Sequence, residues 1–292
     1  MEFVQPENWR EALEARSAHP GAVPIRGGTD VMVDLNFARS RPEAILDLSR
    51  VEELNEWGTE DGLLRVGAGV NYTRIIAELG DRLPGLAMAS RTVGSPQIRN
   101  RGTVGGNLGT ASPAGDALPP LYASEAEVEV ASVGGSRRIP VADFISGPKK
   151  NALAPDELIS AFRIREADGP QQYSKIGPRN AMVIAVCAFG LALHPEQNRI
   201  GACIGSAGPT PIRATEAEEF VLGVIREGDL WSSRNALPDA ALRRFGELVA
   251  DAADPRDDVR GTAAYRRHSV GVLARRALGW AWDEYRGMRG AA

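Results

Sequence analysis

The stretch Arg99-Asn-Arg-Gly-Thr-Val-Gly-Gly-Asn-Leu-Gly-Thr-Ala-Ser-Pro-Ala-Gly-Asp116 constrains this chain more than any other. Gly102, Gly105, Gly106 and Gly109 fall within eight residues, interleaved with Thr103, Asn107, Thr110 and Ser112. Glycine admits φ > 0 and lets backbone lie close to a ligand. Successive N–H groups turned the same way make an anion-binding nest. The stretch reads as a loop that cradles a pyrophosphate; its plain alternative is a polar surface loop. A second stretch, Ile25-Arg26-Gly27-Gly28-Thr29-Asp30, follows a strand-like run and repeats the chemistry some 75 residues earlier. Two such loops could close on both phosphates of a dinucleotide. Neither is a GxGxxG turn after a strand, and neither contains the GKS or GKT of a P-loop. Phosphate charge would be held by backbone dipoles rather than by lysines.

Composition narrows the remaining classes. A chain of 292 residues suits two domains, or one large domain with an appendage. A formal net charge of −4 gives no support for nucleic acid or an anionic membrane as partner. The start, Met1-Glu-Phe-Val-Gln-Pro6, lacks a basic segment followed by an apolar run, and no stretch approaches 18 apolar residues. The expectation is a cytoplasmic protein with no membrane span. Cys187 and Cys203 sit in apolar runs with no CxxC pair, so they read as buried thiols of a reducing compartment. An iron–sulfur cluster takes about four thiolates, so this chain carries none by itself. His19 and His194 each precede proline and read as loop residues, and His268 is remote from both. No metal site and no nucleophile–base arrangement is visible, so no catalytic residue is assigned.

The periodicity predicts helices over 7–18, 72–79, 84–93, 119–123, 215–222, 239–251 and 262–285. Strands are expected over 22–25, 44–48, 125–132, 137–141 and 158–164. Asp61-Gly62 predicts a hairpin turn between 54–57 and 63–66. Beyond a linker at 166–170, three antiparallel strands are expected over 172–176, 183–193 and 200–206. Tyr265, Val272, Leu273, Ala277, Trp280 and Ala281 form the apolar stripe of the last helix.

With these motifs in hand, the chain resembles the flavoprotein (medium) subunit of the molybdenum hydroxylases, the group that includes aerobic carbon monoxide dehydrogenase, bacterial xanthine dehydrogenase and nicotine-type dehydrogenases. The family's first motif, roughly Ala-Gly-Gly-Thr-Asp-Leu, matches Arg26-Gly27-Gly28-Thr29-Asp30-Val31, with arginine in place of alanine. Its second, Gln-Ile-Arg-Asn-Arg-Gly-Thr-Ile-Gly-Gly-Asn followed by Ser-Pro-x-x-Asp, matches 97–107 and 112–116. A third, Asp-x-Arg-x-x-Ala-x-Tyr-Arg, matches 258–266 with one residue of play. The resemblance covers nearly the whole chain.

It implies an α+β fold: a two-lobed vanillyl-alcohol-oxidase-type (PCMH) FAD-binding domain, lobes 1–55 and 56–168, and a C-terminal domain, 169–292, of a three-stranded antiparallel sheet with helices. It implies non-covalent FAD. Ile25, Arg26, Gly27, Gly28, Thr29, Asp30, Thr103, Gly105, Gly106 and Asn107 would cradle the pyrophosphate, with Thr110 and Ser112 lining the same channel. Asp116 would bond ribose or ribityl hydroxyls, the alternative being a helix N-cap. Leu153 would touch the adenine or the flavin edge. Lys175 would reach the flavin, the alternative being a solvated strand lysine. The partners it implies are a small [2Fe-2S] iron–sulfur subunit and a large molybdopterin subunit, in a dimer of heterotrimers, with the molybdenum cofactor and clusters only in those partners. The chain would pass electrons from the clusters to an external acceptor. Two other readings stay open at this point: a self-sufficient flavin oxidase of the same superfold, and a scaffold subunit without flavin.

Overall fold

The computed structural model describes residues 1–288. In chain order its elements are β1 (Glu2–Val4), α1 (Trp9–Ala18), β2 (Val23–Ile25), α2 (Val31–Asn36), β3 (Ala44–Asp47), β4 (Trp57–Glu60), β5 (Leu63–Gly67), α3 (Tyr72–Glu78), α4 (Pro84–Thr92), α5 (Pro96–Arg101), α6 (Val104–Thr110) and α7 (Leu118–Ala123). There follow β6 (Glu127–Ser132), β7 (Gly135–Pro140), α8 (Val141–Phe144), β8 (Ile145–Gly147), β9 (Lys150–Asn151), β10 (Leu158–Ile164), β11 (Gln171–Ile176), β12 (Cys187–His194), β13 (Arg199–Gly205) and β14 (Ile212–Arg213). Four helices close the chain: α9 (Thr215–Glu227), α10 (Leu230–Ser233), α11 (Asp239–Ala252) and α12 (Ala263–Gly287). Two compact units interleave along it. One takes residues 1–78, 93–112 and 125–165; the other takes 79–92, 113–124 and 166 onward.

The first unit holds a parallel sheet in the order β1-β3-β2. Parallel neighbours need crossover connections, which α1 and α2 supply. Asn8 starts α1, its side chain accepting from the Glu11 N–H. β1, three residues long, escapes any periodicity argument; its pairing with β3 is what defines it. An antiparallel sheet follows in the order β4-β5-β10-β6-β7, with β8-β9 a separate hairpin. Asp61 (φ 53°) and Gly62 (φ 75°) both take positive φ in the turn between β4 and β5, as a type I′ hairpin requires. The first strand of that hairpin begins at Trp57 rather than Leu54, because 52–55 winds into a 3₁₀ turn that buries Leu54. β10 lies between β5 and β6, and all seven of its residues are buried. Its one charge, Arg163, donates to Glu129 of β6 and Glu60 of β4. Arg65 and Ser160 also donate to Glu129.

The second unit is built on a sheet in the order β11-β12-β13-β14. The expected three strands are all present; a fourth, of two residues, adds to β13. The two faces of β12 and β13 differ in side-chain size. Phe189, Leu191, Leu193, Ile200, Ala202 and Ile204 join one core with buried residues of α9, α11 and α12. The opposite face is small along Ala188, Gly190, Ala192, Gly201, Cys203 and Gly205, and α7 comes down to its backbone. A Cβ at Gly201 would lie 1.8 Å from the Ala123 carbonyl oxygen, and one at Gly190 would lie 2.7 Å from the Pro119 backbone. α12 corrects the expected stripe. Leu273, Ala277 and Ala281 are buried, but with Val270, Ala274, Leu278, Trp282 and Tyr285 rather than with Tyr265 and Trp280, which are exposed. In a 25-residue helix rich in apolar residues, two stripes are available, and packing against the sheet and α11 chooses between them.

Candidate functional site

The first unit brings the two glycine motifs side by side. β2 delivers the chain to Ile25, and Gly28 (φ 75°) turns it so that its carbonyl accepts from the Met32 N–H and α2 begins. Ile25, Arg26, Gly27, Gly28 and Thr29 are half-buried and Asp30 is exposed. A Cβ at Gly27 would stand 2.1 Å from the Arg101 carbonyl oxygen, so the absence of a side chain is what lets the motifs touch. The hydroxyl of Thr110 donates to Asp30 at 3.2 Å, a second contact between them.

The second motif corrects the expectation of an open loop. It is two short helices hinged at Gly102-Thr103. Ser95 caps α5, accepting from Ile98 N–H, and Pro96 occupies its first turn. Thr103 caps α6, its hydroxyl accepting from Gly106 N–H at 2.8 Å. Three glycines within seven residues disfavour a helix, but the cap and the burial of Val104 and Leu108 prevail. The Ser95-Pro96 and Thr103 start signals were present in the sequence. In consequence the Thr103 hydroxyl is committed to the cap, and the N–H groups from Asn107 onward enter helical bonds.

The glycines of the motif separate by cause. A Cβ at Gly105 would lie 2.5 Å from the Ala68 carbonyl oxygen, so packing requires that glycine. Gly106 and Gly109 are exposed. A Cβ at Gly106 would meet only the Thr103 hydroxyl, at 3.2 Å, and one at Gly109 only a methyl of Ile159, at 3.7 Å. No protein neighbour forbids a side chain there. Bare backbone at those two positions, beside Asn107, Thr110 and Ser112, fits a phosphate group laid against the chain. Asn151 donates to the Gly109 carbonyl at 2.8 Å and accepts from the N–H of Leu153, which places half-buried Leu153 in the same neighbourhood.

The second unit assembles a different cluster. Asp116 does not cap α7, whose N-cap position is Ala117. Its carboxylate accepts from Lys175 Nζ at 2.6 Å, Tyr173 Oη at 2.9 Å and Thr92 Oγ1 at 3.2 Å. Lys175 is 8% and Asp116 9% exposed at the side chain, so Lys175 is no solvated strand lysine. Burial pushes the Asp116 carboxyl above its ordinary range, against the pull of Lys175, Tyr173 and Thr92. Tyr173 and Thr92 carry no sequence signal for this role; Thr92 lies 24 residues before Asp116, and no local pattern joins them.

The third motif is a structural clamp. Buried Arg266 donates to the carbonyls of Val186 (2.9 Å) and Ser206 (2.6 Å) and to Asp258 (2.5 Å), tying α12 to the residue just before β12 and the residue just after β13. His194, expected in a loop, is instead the fully buried last residue of β12, its Nδ1 3.2 Å from Asp168. Burial pushes its pKa down. Cys187 is buried as expected, which pushes its thiol up to about 12, and Cys203 shifts in the same direction. Among the described residues no group of three or more His, Cys, Asp or Glu side chains could hold a metal ion.

Comparison with known proteins identifies the family. Residues 1–165 match the family "FAD binding domain in molybdopterin dehydrogenase", and residues 172–281 match "CO dehydrogenase flavoprotein C-terminal domain". The chain is 30% identical over 281 residues to the glyceraldehyde dehydrogenase medium chain of Sulfolobus acidocaldarius, covering 94% of this chain and 96% of that one. It is 31% identical over 240 residues to the nicotinate dehydrogenase FAD-subunit of Eubacterium barkeri, covering 76% and 80%. Among solved structures, a carbon monoxide dehydrogenase chain from Hydrogenophaga pseudoflava superposes with a TM-score of 0.86 at 26% identity, covering 97% and 98%. No helix among the described residues is long and apolar enough to cross a membrane. The chain therefore belongs to the FAD-binding medium-subunit family of the molybdenum hydroxylases, an oxidoreductase family of α+β flavoproteins.

Proposed function

We propose that this chain is the last electron-transfer station of a three-subunit hydroxylase. It would take electrons from a small [2Fe-2S] subunit, itself reduced by a large molybdopterin subunit, and deliver them to an external acceptor, in a dimer of heterotrimers. FAD, when bound, supplies the exchange between one-electron and two-electron carriers. The chain's own residues bind and orient it. In the division we propose, 1–55 and 56–168 are the lobes of the FAD-binding domain and 169–292 is the C-terminal domain. Ile25 to Asp30, the backbone of 103–107, Thr110 and Ser112 would hold the pyrophosphate, with Leu153 against the cofactor's apolar part. For Lys175 the reading is a fixed ammonium directed to the flavin, with Asp116 as the carboxylate that keeps it in place; any bond from Asp116 to a cofactor hydroxyl would add to the three it already accepts.

The observation that carries the reading is the pair of exposed glycines, Gly106 and Gly109, that no protein neighbour requires. The visible spectrum of the purified chain tests it. Flavin bands at one FAD per chain are expected, and a colourless folded chain that takes up no FAD would overturn it.

A further inference from the structure

Tyr173 and Lys175 are two residues apart on β11, so their side chains leave the same face of the strand. Both reach one carboxylate, and they take different oxygens of it. Lys175 Nζ donates to Asp116 Oδ2 at 2.6 Å, and Tyr173 Oη donates to Oδ1 at 2.9 Å. Tyr173 is buried among small side chains, Ala89, Ala185 and Ala188, with Met88 packed against them. That packing fixes where the hydroxyl points. Thr92 is a weaker third donor. Its hydroxyl carries one proton, shared between Asp116 Oδ2 at 3.2 Å and the nearer Ala89 carbonyl at 2.8 Å. Tyr173 is therefore the main neutral donor to this buried carboxylate. The ammonium, by contrast, has a donor to spare. A protonated lysine carries three N–H groups. Lys175 engages two, on Asp116 and, at 3.4 Å, on the Thr92 carbonyl. Burial drives Asp116 toward its protonated form; the Lys175 charge and the hydrogen bonds from Lys175, Tyr173 and Thr92 pull it back. Removing the Tyr173 hydroxyl tips that balance toward the proton. Asp116 would then be neutral, and the Lys175 ammonium would stand without its counter-charge.

We propose that Tyr173 is a positioning residue for the flavin: by holding Asp116 as a carboxylate it keeps the charge of Lys175 compensated, and so lowers the potential at which bound FAD accepts electrons. The inference rests on the FAD reading above and deepens it, by naming a residue that acts on the cofactor only through another. Reduction adds negative charge to the flavin ring system. An uncompensated cation beside it favours the reduced form, and a cation paired with a carboxylate does so much less.

The test is a redox titration of the FAD-loaded full-length chain against dyes of known potential, at neutral and at mildly acidic pH. Flavin absorbance gives the oxidised-to-reduced ratio, and the urea midpoint is measured alongside. Wild type is compared with Tyr173→Phe, Thr92→Val, Asp116→Asn, and Tyr173→Phe combined with Asp116→Asn. Tyr173→Phe keeps the ring and loses only the donor. At a fixed applied potential it should move the ratio about tenfold toward reduced flavin, about 30 mV positive for a two-electron couple, and further at the lower pH. Thr92→Val should move it the same way by less, and carries the test should Tyr173→Phe not fold. Asp116→Asn should move it at least as far and equally at both pH values, and adding Tyr173→Phe should then change nothing more. A Tyr173 that only supports the fold would lower the urea midpoint and leave the potential where it was. That result, a negative shift, or a Tyr173→Phe shift undiminished in the Asp116→Asn background would overturn the inference while leaving the FAD reading intact. A wild-type chain that takes up no FAD would overturn that reading, and the inference with it.

Discussion

Gly106 and Gly27 look alike in sequence and respond to different constraints. Gly106 is exposed, and a Cβ there would meet only the Thr103 hydroxyl, at 3.2 Å, so Gly106→Val should leave a folded chain once that side chain gives by a few tenths of an ångström, and should abolish FAD uptake, because the new side chain would take the volume of the phosphate oxygens. Full FAD stoichiometry in that variant would remove the pyrophosphate assignment. Gly27→Ala should instead damage the fold, since its Cβ would sit 2.1 Å from a backbone oxygen that cannot swing aside. A loss of about 1–3 kcal/mol or more is expected from such overpacking, read as a lowered urea midpoint with or without FAD. The buried pair gives a further residue-scale expectation. Lys175→Met strands the Asp116 carboxylate and should cost about 3 kcal/mol or more. Lys175→Met with Asp116→Asn should recover much of that, and a double variant no more stable than the single would show that Lys175 stabilises by some other means than that pairing.

At the scale of elements, β5, β6 and β10 are joined by one carboxylate. Burial opposes the charge on Glu129, but hydrogen bonds from Arg65, Arg163 and Ser160 outweigh it and hold its pKa at about 2. The folded value lies below the unfolded one. The stability Glu129 contributes is therefore full above the ordinary carboxylate value of 4.5 and drains as pH falls from there through about 2. Glu129→Gln should be less stable than the wild type at pH 7, and the gap between the two urea midpoints should narrow at pH 3. A gap independent of pH would show that the network acts through packing rather than charge. α12 depends on a comparable device at its start, where the Thr262 side chain accepts from Tyr265 N–H and Arg266 reaches back to Val186 and Ser206, the residues that flank β12 and β13.

At the scale of the whole molecule, the cofactor should be held without a covalent bond and the chain alone should hydroxylate nothing. The residues after Gly27-Gly28 are Thr29 and Asp30, neither a suitable point of flavin attachment. Cys187, Cys203 and His194 are fully buried, and burial keeps both thiols protonated. Acid precipitation of the purified chain should leave the yellow colour in the supernatant. Colour in the pellet would refute the non-covalent assignment, and substrate-dependent turnover by the chain alone would move the reading to a self-sufficient oxidase. Tagged chain recovered from its native host should bring an iron–sulfur protein and a large molybdenum protein with it; recovery without either would count against the three-subunit assembly.

The sequence by itself determined the family, the flavin chemistry and most of the strands and helices. These rest on short-range information: Asp61-Gly62 demands its turn, Asn8 and Thr262 demand their caps, and Gly-Thr-Val-Gly-Gly-Asn is a contiguous string. Tertiary structure decided whatever depends on distant neighbours. It wound the glycine stretch into α6, because Thr103 caps it and Val104 and Leu108 find a core. It chose which apolar stripe of α12 faces the sheet, and buried His194 beside Asp168. It joined Asp116 to Lys175, Tyr173 and Thr92, and held Arg26 on Asn55. Glycine required by a close contact and glycine left bare read the same in one dimension; only the positions of Arg101, Ala68 and Thr103 in space separate them.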